Sequence, residues 1–117
     1  VIRYGSTLSD HDREVVICAT AVERVCPFEW ESHSPIARSV GVSDATLSSI
    51  EGDETVEDAD DALLVDFVRE LSREGRVSEP TFRSAHSRFG EAGTVELAAI
   101  IGYYTMLALF MNAVEAC

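Results

Sequence analysis

The chain contains no lysine: all nine of its basic residues are arginines, against 21 aspartates and glutamates. The formal net charge at pH 7 is therefore −12. A surface that binds nucleic acid or an anionic membrane needs a basic patch, so this composition argues against both kinds of partner. An acidic, lysine-free surface is typical of a halophilic protein in a high-salt cytoplasm. GC-rich coding is the alternative explanation.

Cysteine is also scarce, since the chain has only Cys18, Cys26 and Cys117. An odd number without a C-x-x-C pair is not a disulfide framework, and no zinc-binding spacing is present. We therefore expect free thiols, Cys26 included, and a reducing, cytoplasmic location. No signal peptide is visible, and the start at Val1 suggests that preceding residues are missing.

Strand signals are absent: no extended alternating run and no Asn-Gly or Asp-Gly hairpin occurs. Helical periodicity is present instead, and 46% hydrophobic residues suffice for a core. The sequence predicts one all-α domain over residues 1–117 with five to six helices. The predicted helical segments are 10–26, 28–41, 43–50, 57–74, 79–89 and 94–115.

Two of these segments leave alternatives open. Pro35 either kinks the second helix, or a turn at 28–33 precedes a new helix with Ser34 as its N-cap. The last segment is apolar nearly all round and has about the ~20 residues that span a bilayer. Its polar residues, Glu96 and Asn112 among them, favour a helix buried in the molecule or between subunits.

One constellation has the residue types of acid/base chemistry. Glu29 and His33 lie four residues apart, on the helix face that continues into Ile36 and Ala37. Cys26 lies three positions before Glu29 on the same line. Glu14 borders the buried stripe of the preceding helix, so two packed helices could bring these groups around one pocket. Burial of a glutamate and a histidine side by side moves both pKa values towards neutrality, which suits acid/base catalysis. The alternative interpretation is that Glu29 and His33 form an ordinary hydrogen bond on the surface.

Other polar residues predict less. His86 shares an apolar face with Phe82 and Phe89, which favours a core histidine over a ligand. The acidic run 51–61 lacks the order of an EF-hand loop and is expected to be a solvated turn. Tyr103 and Tyr104 are expected to pack, with one hydroxyl reaching the pocket.

These motifs together resemble the carboxymuconolactone decarboxylase family. The most specific part is the E-W-x-x-H segment, Glu29 to His33, and the resemblance covers about residues 9–115. The other matching segments are Arg13-Glu14 before an apolar helix, Ala37 with Gly41-Val-Ser, Val95-Glu96-Leu97, Ile101-Gly102-Tyr103-Tyr104-Thr-Met, and Asn112-Ala113.

The resemblance extends to the alkylhydroperoxidase D enzymes of the same superfamily. Their pattern is a glutamate, a C-x-x-C pair and a histidine; Glu14, Cys26 and His33 match three of these positions, and Glu29 replaces the second cysteine. The dithiol is therefore missing. The resemblance implies an alkylhydroperoxidase D-like all-α fold, a homo-trimer or homo-hexamer, and a further N-terminal segment before Val1.

The resemblance also implies a function, that of a carboxy-lyase acting on a small carboxylated lactone or related acid. His33 would donate the proton to the substrate, and Glu29 would orient His33 or return a proton to it. Glu14 would be a second carboxylate in this proton relay. Cys26, Trp30 and Tyr103 are expected to line the substrate pocket. No metal or organic cofactor is implied.

An anionic substrate needs a cation, which Arg13, Arg38 or a neighbouring subunit would supply.

Two other functions are compatible with the sequence. One is an antioxidant that uses Cys26 as a single peroxidatic thiol. The other is a non-catalytic helical oligomeric binding module.

Overall fold

The computed structural model describes residues 8–114, which form five α-helices and no strand. This confirms the all-α prediction. The helices are α1 (Asp10–Glu23), α2 (Pro27–Ser39), α3 (Asp44–Glu51), α4 (Ala59–Glu74) and α5 (Glu79–Ala113).

Side-chain caps explain where four of the helices begin. In each, a serine or aspartate oxygen accepts the backbone N–H three residues further on, which satisfies one of the unpaired donors of the first turn. The capping residues are Ser9 for α1, Ser43 for α3, Asp58 for α4 and Ser78 for α5.

Helix α2 begins differently and continues through a proline. Pro27 occupies its first turn, where a missing N–H costs nothing. Pro35 lies inside the helix, which runs unbroken to Ser39. The alternative of a new helix capped by Ser34 is therefore wrong. Because Pro35 is exposed, its ring is accommodated on the solvent side of the helix.

Helix α5 combines the last two predicted segments. They run end to end, and Gly90 between them has φ 75° and ψ −178°, which is not helical. Glycine adopts such a positive φ without steric cost. Gly93, three residues further on, is helical and buried. The sixth segment is thus the second half of α5.

The core is built around α1, which packs against all four other helices. Val15, Val16 and Cys18 on this helix are completely buried. Side chains from α4 and α5, such as Leu64 and Leu97, close around them. A polar residue on α1 is consequently drawn into the interior, as happens to Glu14.

The second half of α5 presents an apolar face to solvent. Tyr103, Met106, Leu109, Phe110 and Val114 are each between 46% and 64% exposed. We call these five residues the α5 apolar face. The expectation of a buried last helix is thus wrong for this side within one chain.

Length and composition would allow α5 to cross a membrane, and it is the one helix within residues 8–114 that passes this test. About 28% of its apolar window is buried inside the protein. A single helix of this kind is weak evidence, because core helices of soluble proteins pass the same test.

Candidate active site

Glu14, Glu29 and His33 come together in space, as the sequence predicted. Nδ1 of His33 lies 2.9 Å from Oε1 of Glu14, a hydrogen bond that joins α2 to α1. Nε2 of the same ring lies 3.5 Å from Oε1 of Glu29, one helical turn back on α2. The imidazole therefore lies between two carboxylates, one at each nitrogen.

The burial of the three groups differs in a way that matters for chemistry. The side chains of Glu14 and Glu29 are only 6% and 7% exposed, whereas that of His33 is 17% exposed. Buried carboxylates need hydrogen-bonding or charged partners. His33 supplies these contacts and is the most exposed of the three side chains.

The site favours the charged form of the histidine. The hydrogen bond from Nδ1 to Glu14 raises the pKa of His33 above its ordinary value, and the charges of Glu14 and Glu29 add to this effect. Desolvation acts in the opposite direction and is the weaker influence. His33 is thus biased towards an imidazolium, which carries a proton on each nitrogen.

The buried face of α2 differs from the predicted one by a small rotation. Glu29, His33 and Ala37, spaced four residues apart, face inwards, but Ile36 is 43% exposed. The inward face of α2 is thus centred on Glu29 and His33, and Ile36, which the apolar pattern placed on this face, points towards solvent instead. The predicted sharing of a face by Glu29 and His33 is confirmed.

Tyr104 is the aromatic residue that contacts the site. Its ring meets the ring of His33 edge to face, with centroids 5.6 Å apart. Tyr103, the residue predicted for substrate binding, contacts Tyr104 at 5.2 Å and is 46% exposed. The sequence contained a signal that favours Tyr104, because Tyr104 follows the buried residues Leu97 and Ile101 at helical spacing on one face of α5, whereas Tyr103 does not.

The cysteines do not behave as predicted. Cys26 is disulfide-bonded, so the expectation that it is a free thiol is wrong, and cysteine usage no longer argues for a reducing compartment. Cys117 lies outside the described residues. Cys18 is free and fully buried. Burial and the neighbouring charge of Glu14 raise the pKa of Cys18 to about 12, which keeps it a neutral thiol.

Cys26 and Trp30 line a separate surface cavity of about 280 Å³. Its walls come from the C-terminal ends of α1 and α3 and the start of α2. Glu14, Glu29 and His33 are not among its lining residues, which are Ala21, Val22, Val25, Cys26, Pro27, Trp30, Glu31 and Glu51. The predicted site residues are thus divided between two places.

The arginines expected to serve an anionic substrate are engaged elsewhere. Arg38 donates through Nε to Asp44, 2.8 Å away. Arg13 is buried, donates to the carbonyl oxygen of Leu8 and forms an ion pair with Asp10. Neither contact is directed at His33.

Two further expectations are corrected by the structure. His86 is exposed and packs on Phe82 with ring centroids 5.7 Å apart, so it is not a core histidine. The acidic segment 51–61 is mostly exposed, but Asp61 is buried and accepts a hydrogen bond from Thr46. Desolvation raises the pKa of Asp61, and its burial shows that the segment is more than a solvated turn.

Within residues 8–114, no three histidine, cysteine, aspartate or glutamate side chains are arranged to hold a metal ion. Comparisons of the chain with protein-family models, with curated proteins and with solved structures give no match. The geometry of the site is therefore the basis on which a function can be proposed.

Proposed function

We propose that this protein is an acid/base catalyst that protonates carbon in a small substrate, with His33 as the proton donor. The observation that carries this proposal is the hydrogen bond of 2.9 Å between Nδ1 of His33 and Oε1 of Glu14. A carboxylate at Nδ1 orients an imidazole and stabilises its charged form, as in the histidine of a catalytic triad. The other nitrogen is then the one that exchanges a proton with substrate.

The resemblance to carboxymuconolactone decarboxylases gives this chemistry a specific form. The bond between carbon and the substrate carboxylate breaks, CO2 leaves, and the electron pair remains on the conjugated carbon as an enolate. Nε2–H of His33 delivers its proton to that carbon and leaves a neutral imidazole. A proton from water or a carboxylic acid restores the imidazolium.

Glu29 is suited to orienting the imidazolium and stabilising its charge. Its Oε1 lies 3.5 Å from Nε2, longer than an ordinary hydrogen bond, so it attracts the charged ring without occupying the proton-donating position. The ring of Tyr104 restricts the imidazole from one side. Both contacts keep His33 in one orientation, which proton transfer to carbon requires.

We further propose that the catalyst is a homo-oligomer, a trimer or hexamer, joined through the α5 apolar face. Tyr103 belongs to this face and its ring contacts Tyr104, which contacts His33. A second copy seated there would cover the approach to the site. It could also bring an arginine to a carboxylated substrate, a role that Arg13 and Arg38 do not serve within one chain.

The experiment uses the purified full chain and carboxymuconolactone in D2O, with CO2 release and deuterium at the product carbon followed by NMR. We expect turnover with deuterium incorporation, and its loss in His33→Gln, which keeps a hydrogen-bonding side chain without a transferable proton. His86→Gln is the matched control, because His86 is exposed and lies outside the site.

Two results would contradict the proposal. Equal turnover by the wild type and His33→Gln would remove His33 from the reaction. Absence of turnover with this lactone and with related small carboxylated acids would favour the non-catalytic binding module. Among the described residues 8–114, the single-thiol antioxidant lacks its nucleophile, because Cys26 is disulfide-bonded and Cys18 is a buried neutral thiol.

A further inference from the structure

We propose that His11, Asp12 and Asp61 form a pH-sensitive clasp, which is closed while His11 carries a proton on each ring nitrogen and opens when one of these protons is lost. We call these three residues the His11 clasp. It joins the first turns of α1 and α4. It shares no residue with the candidate active site, so it does not depend on the proposed function.

Both nitrogens of the His11 ring face a carboxylate oxygen. Nδ1 lies 2.9 Å from Oδ1 of Asp12, and Nε2 lies 3.4 Å from Oδ1 of Asp61. A neutral imidazole carries one N–H and can donate it to only one of these oxygens. Its other nitrogen would then turn a lone pair towards a carboxylate. The imidazolium presents an N–H on both sides, so the geometry matches the charged ring.

Asp61 is the buried member of the clasp, with a side chain that is 6% exposed. Its Oδ2 accepts a hydrogen bond of 2.9 Å from the hydroxyl of Thr46. Its Oδ1 has no hydrogen-bond partner within residues 8–114 and faces Nε2 of His11. A buried carboxylate oxygen without a donor is destabilising, so this oxygen favours a positive charge on the ring. Desolvation raises the pKa of Asp61, which also favours retention of a proton between the two groups.

The other groups around the clasp supply more negative than positive charge. Arg88 lies 3.1 Å from Oδ2 of Asp12 through Nη2, and 3.9 Å from Oδ1 of Asp60 through Nη1. Protonated His11 is therefore the second cation in an acidic cluster. The groups that surround His11 and Asp61 are Asp12 of α1, Thr46 of α3, Asp58 and Asp60 at the start of α4, Arg88 of α5, and Gly41 after α2.

Loss of the proton should open this junction without unfolding the core. The first turns of helices have unpaired backbone donors and open at a lower free energy than the core does. The side chain of His11 is 30% exposed, so its ring exchanges protons with water. Val15 and Leu64, further along the same two helices, are completely buried in apolar contacts that do not titrate.

Amide hydrogen exchange at two reporter positions tests the proposal. The N–H of Arg13 bonds to the carbonyl oxygen of Ser9 in the first turn of α1, and the N–H of Ala62 bonds to that of Asp58 in α4. NMR of the full chain measures their protection, corrected for intrinsic exchange, at about pH 5.5 and about pH 8, on either side of the ordinary histidine range. The closed clasp holds one proton more than the open one, so protection should fall as pH rises. We expect a fall of about fivefold, as for a partly buried ion pair.

Variants separate the clasp from general effects of pH. His11→Gln gains no proton in this range, so its reporters should be equally protected at both pH values. Asp61→Asn places an amide N–H opposite Nε2 of a neutral ring, so its reporters should stay protected at about pH 8. His86→Gln is the matched control, because it removes an exposed histidine outside the clasp, and it should retain the fall seen in the wild type.

Three results would overturn the proposal. The first is equal protection of the wild type at both pH values. The second is a fall that persists in His11→Gln or in Asp61→Asn. The third is disappearance of the fall in His33→Gln, which would assign the proton to the candidate active site instead.

Discussion

Nδ1 of His33 and Oε1 of Glu14 are 2.9 Å apart although 19 residues separate them in sequence. The contact joins the central helix α1 to α2. It buries a carboxylate among the valines of the core and provides that carboxylate with a partner. The stability of the fold and the protonation of the site are therefore coupled through one hydrogen bond.

This coupling predicts a pH-dependent effect of His33→Gln on stability. The pKa of His33 is raised in the folded state, so the stability it contributes is complete below its unfolded pKa and is lost as pH rises through the folded pKa. Urea unfolding at about pH 6 and about pH 9 measures this, since the ordinary histidine value lies near 6.5. The wild type should exceed the variant by more at the lower pH. A difference that grows towards the higher pH would contradict the assigned pairing.

Cys18 should resist thiol reagents as long as the protein is folded. It is completely buried, and its pKa of about 12 leaves almost no thiolate at neutral pH. Iodoacetamide labelling followed by peptide mass spectrometry should detect alkylated Cys18 only after unfolding in guanidinium. Rapid labelling of the native protein at this residue would show that the core around Glu14 opens readily.

Val25 should be replaceable by glycine with a gain in stability. Its φ is 52°, in the left-handed region that a β-branched residue adopts only with strain, and its side chain is 74% exposed. Relief of that strain should raise the free energy of unfolding by about 1 kcal/mol, after the larger entropy of glycine in the unfolded chain is subtracted. Val25→Ala is the matched control, because alanine keeps a Cβ and should change stability little. Equal stabilisation by both variants would point to the side chain rather than to φ.

The α5 apolar face should hold the proposed oligomer together. Phe110 is 64% exposed on this face. A charged side chain at this position would have to be buried when the oligomer assembles, which disfavours assembly. Sedimentation should show a trimer or hexamer for the wild type, at low and at high salt, and a smaller species for Phe110→Glu. Phe28→Glu alters a phenylalanine of α2 that is 53% exposed and should not dissociate it. A monomeric wild type at micromolar concentration would overturn the interface.

The parts of the fold that depend on local chemistry could be predicted from the sequence. The helices predicted to begin at residues 10 and 43 begin at Asp10 and Asp44, with Ser9 and Ser43 as their N-caps. The period of four between Glu29 and His33 placed both on one face. Gly90 separates the two halves of α5 because only glycine adopts its positive φ cheaply. Each of these features is determined by residues that lie within a few positions of one another in the sequence.

The features that could not be predicted depend on contacts between residues that are distant in the sequence. Whether Pro35 breaks α2 depends on whether tertiary packing retains the helix, which local propensity does not contain. The disulfide state of Cys26 could not be predicted from the spacing of the cysteines. Trp30 lines a cavity to which α3 contributes Glu51, a long-range contact that local sequence does not contain.

We expect Glu14 to hold His33 as a proton-carrying imidazolium, and NMR titration of the histidine ring protons measures whether it does. The His33→Gln spectrum assigns the resonance, and the titration is then compared between wild type and Glu14→Gln. His33 should titrate above the ordinary histidine value in the wild type, and its pKa should fall in Glu14→Gln. An ordinary or depressed pKa that Glu14→Gln does not change would contradict it.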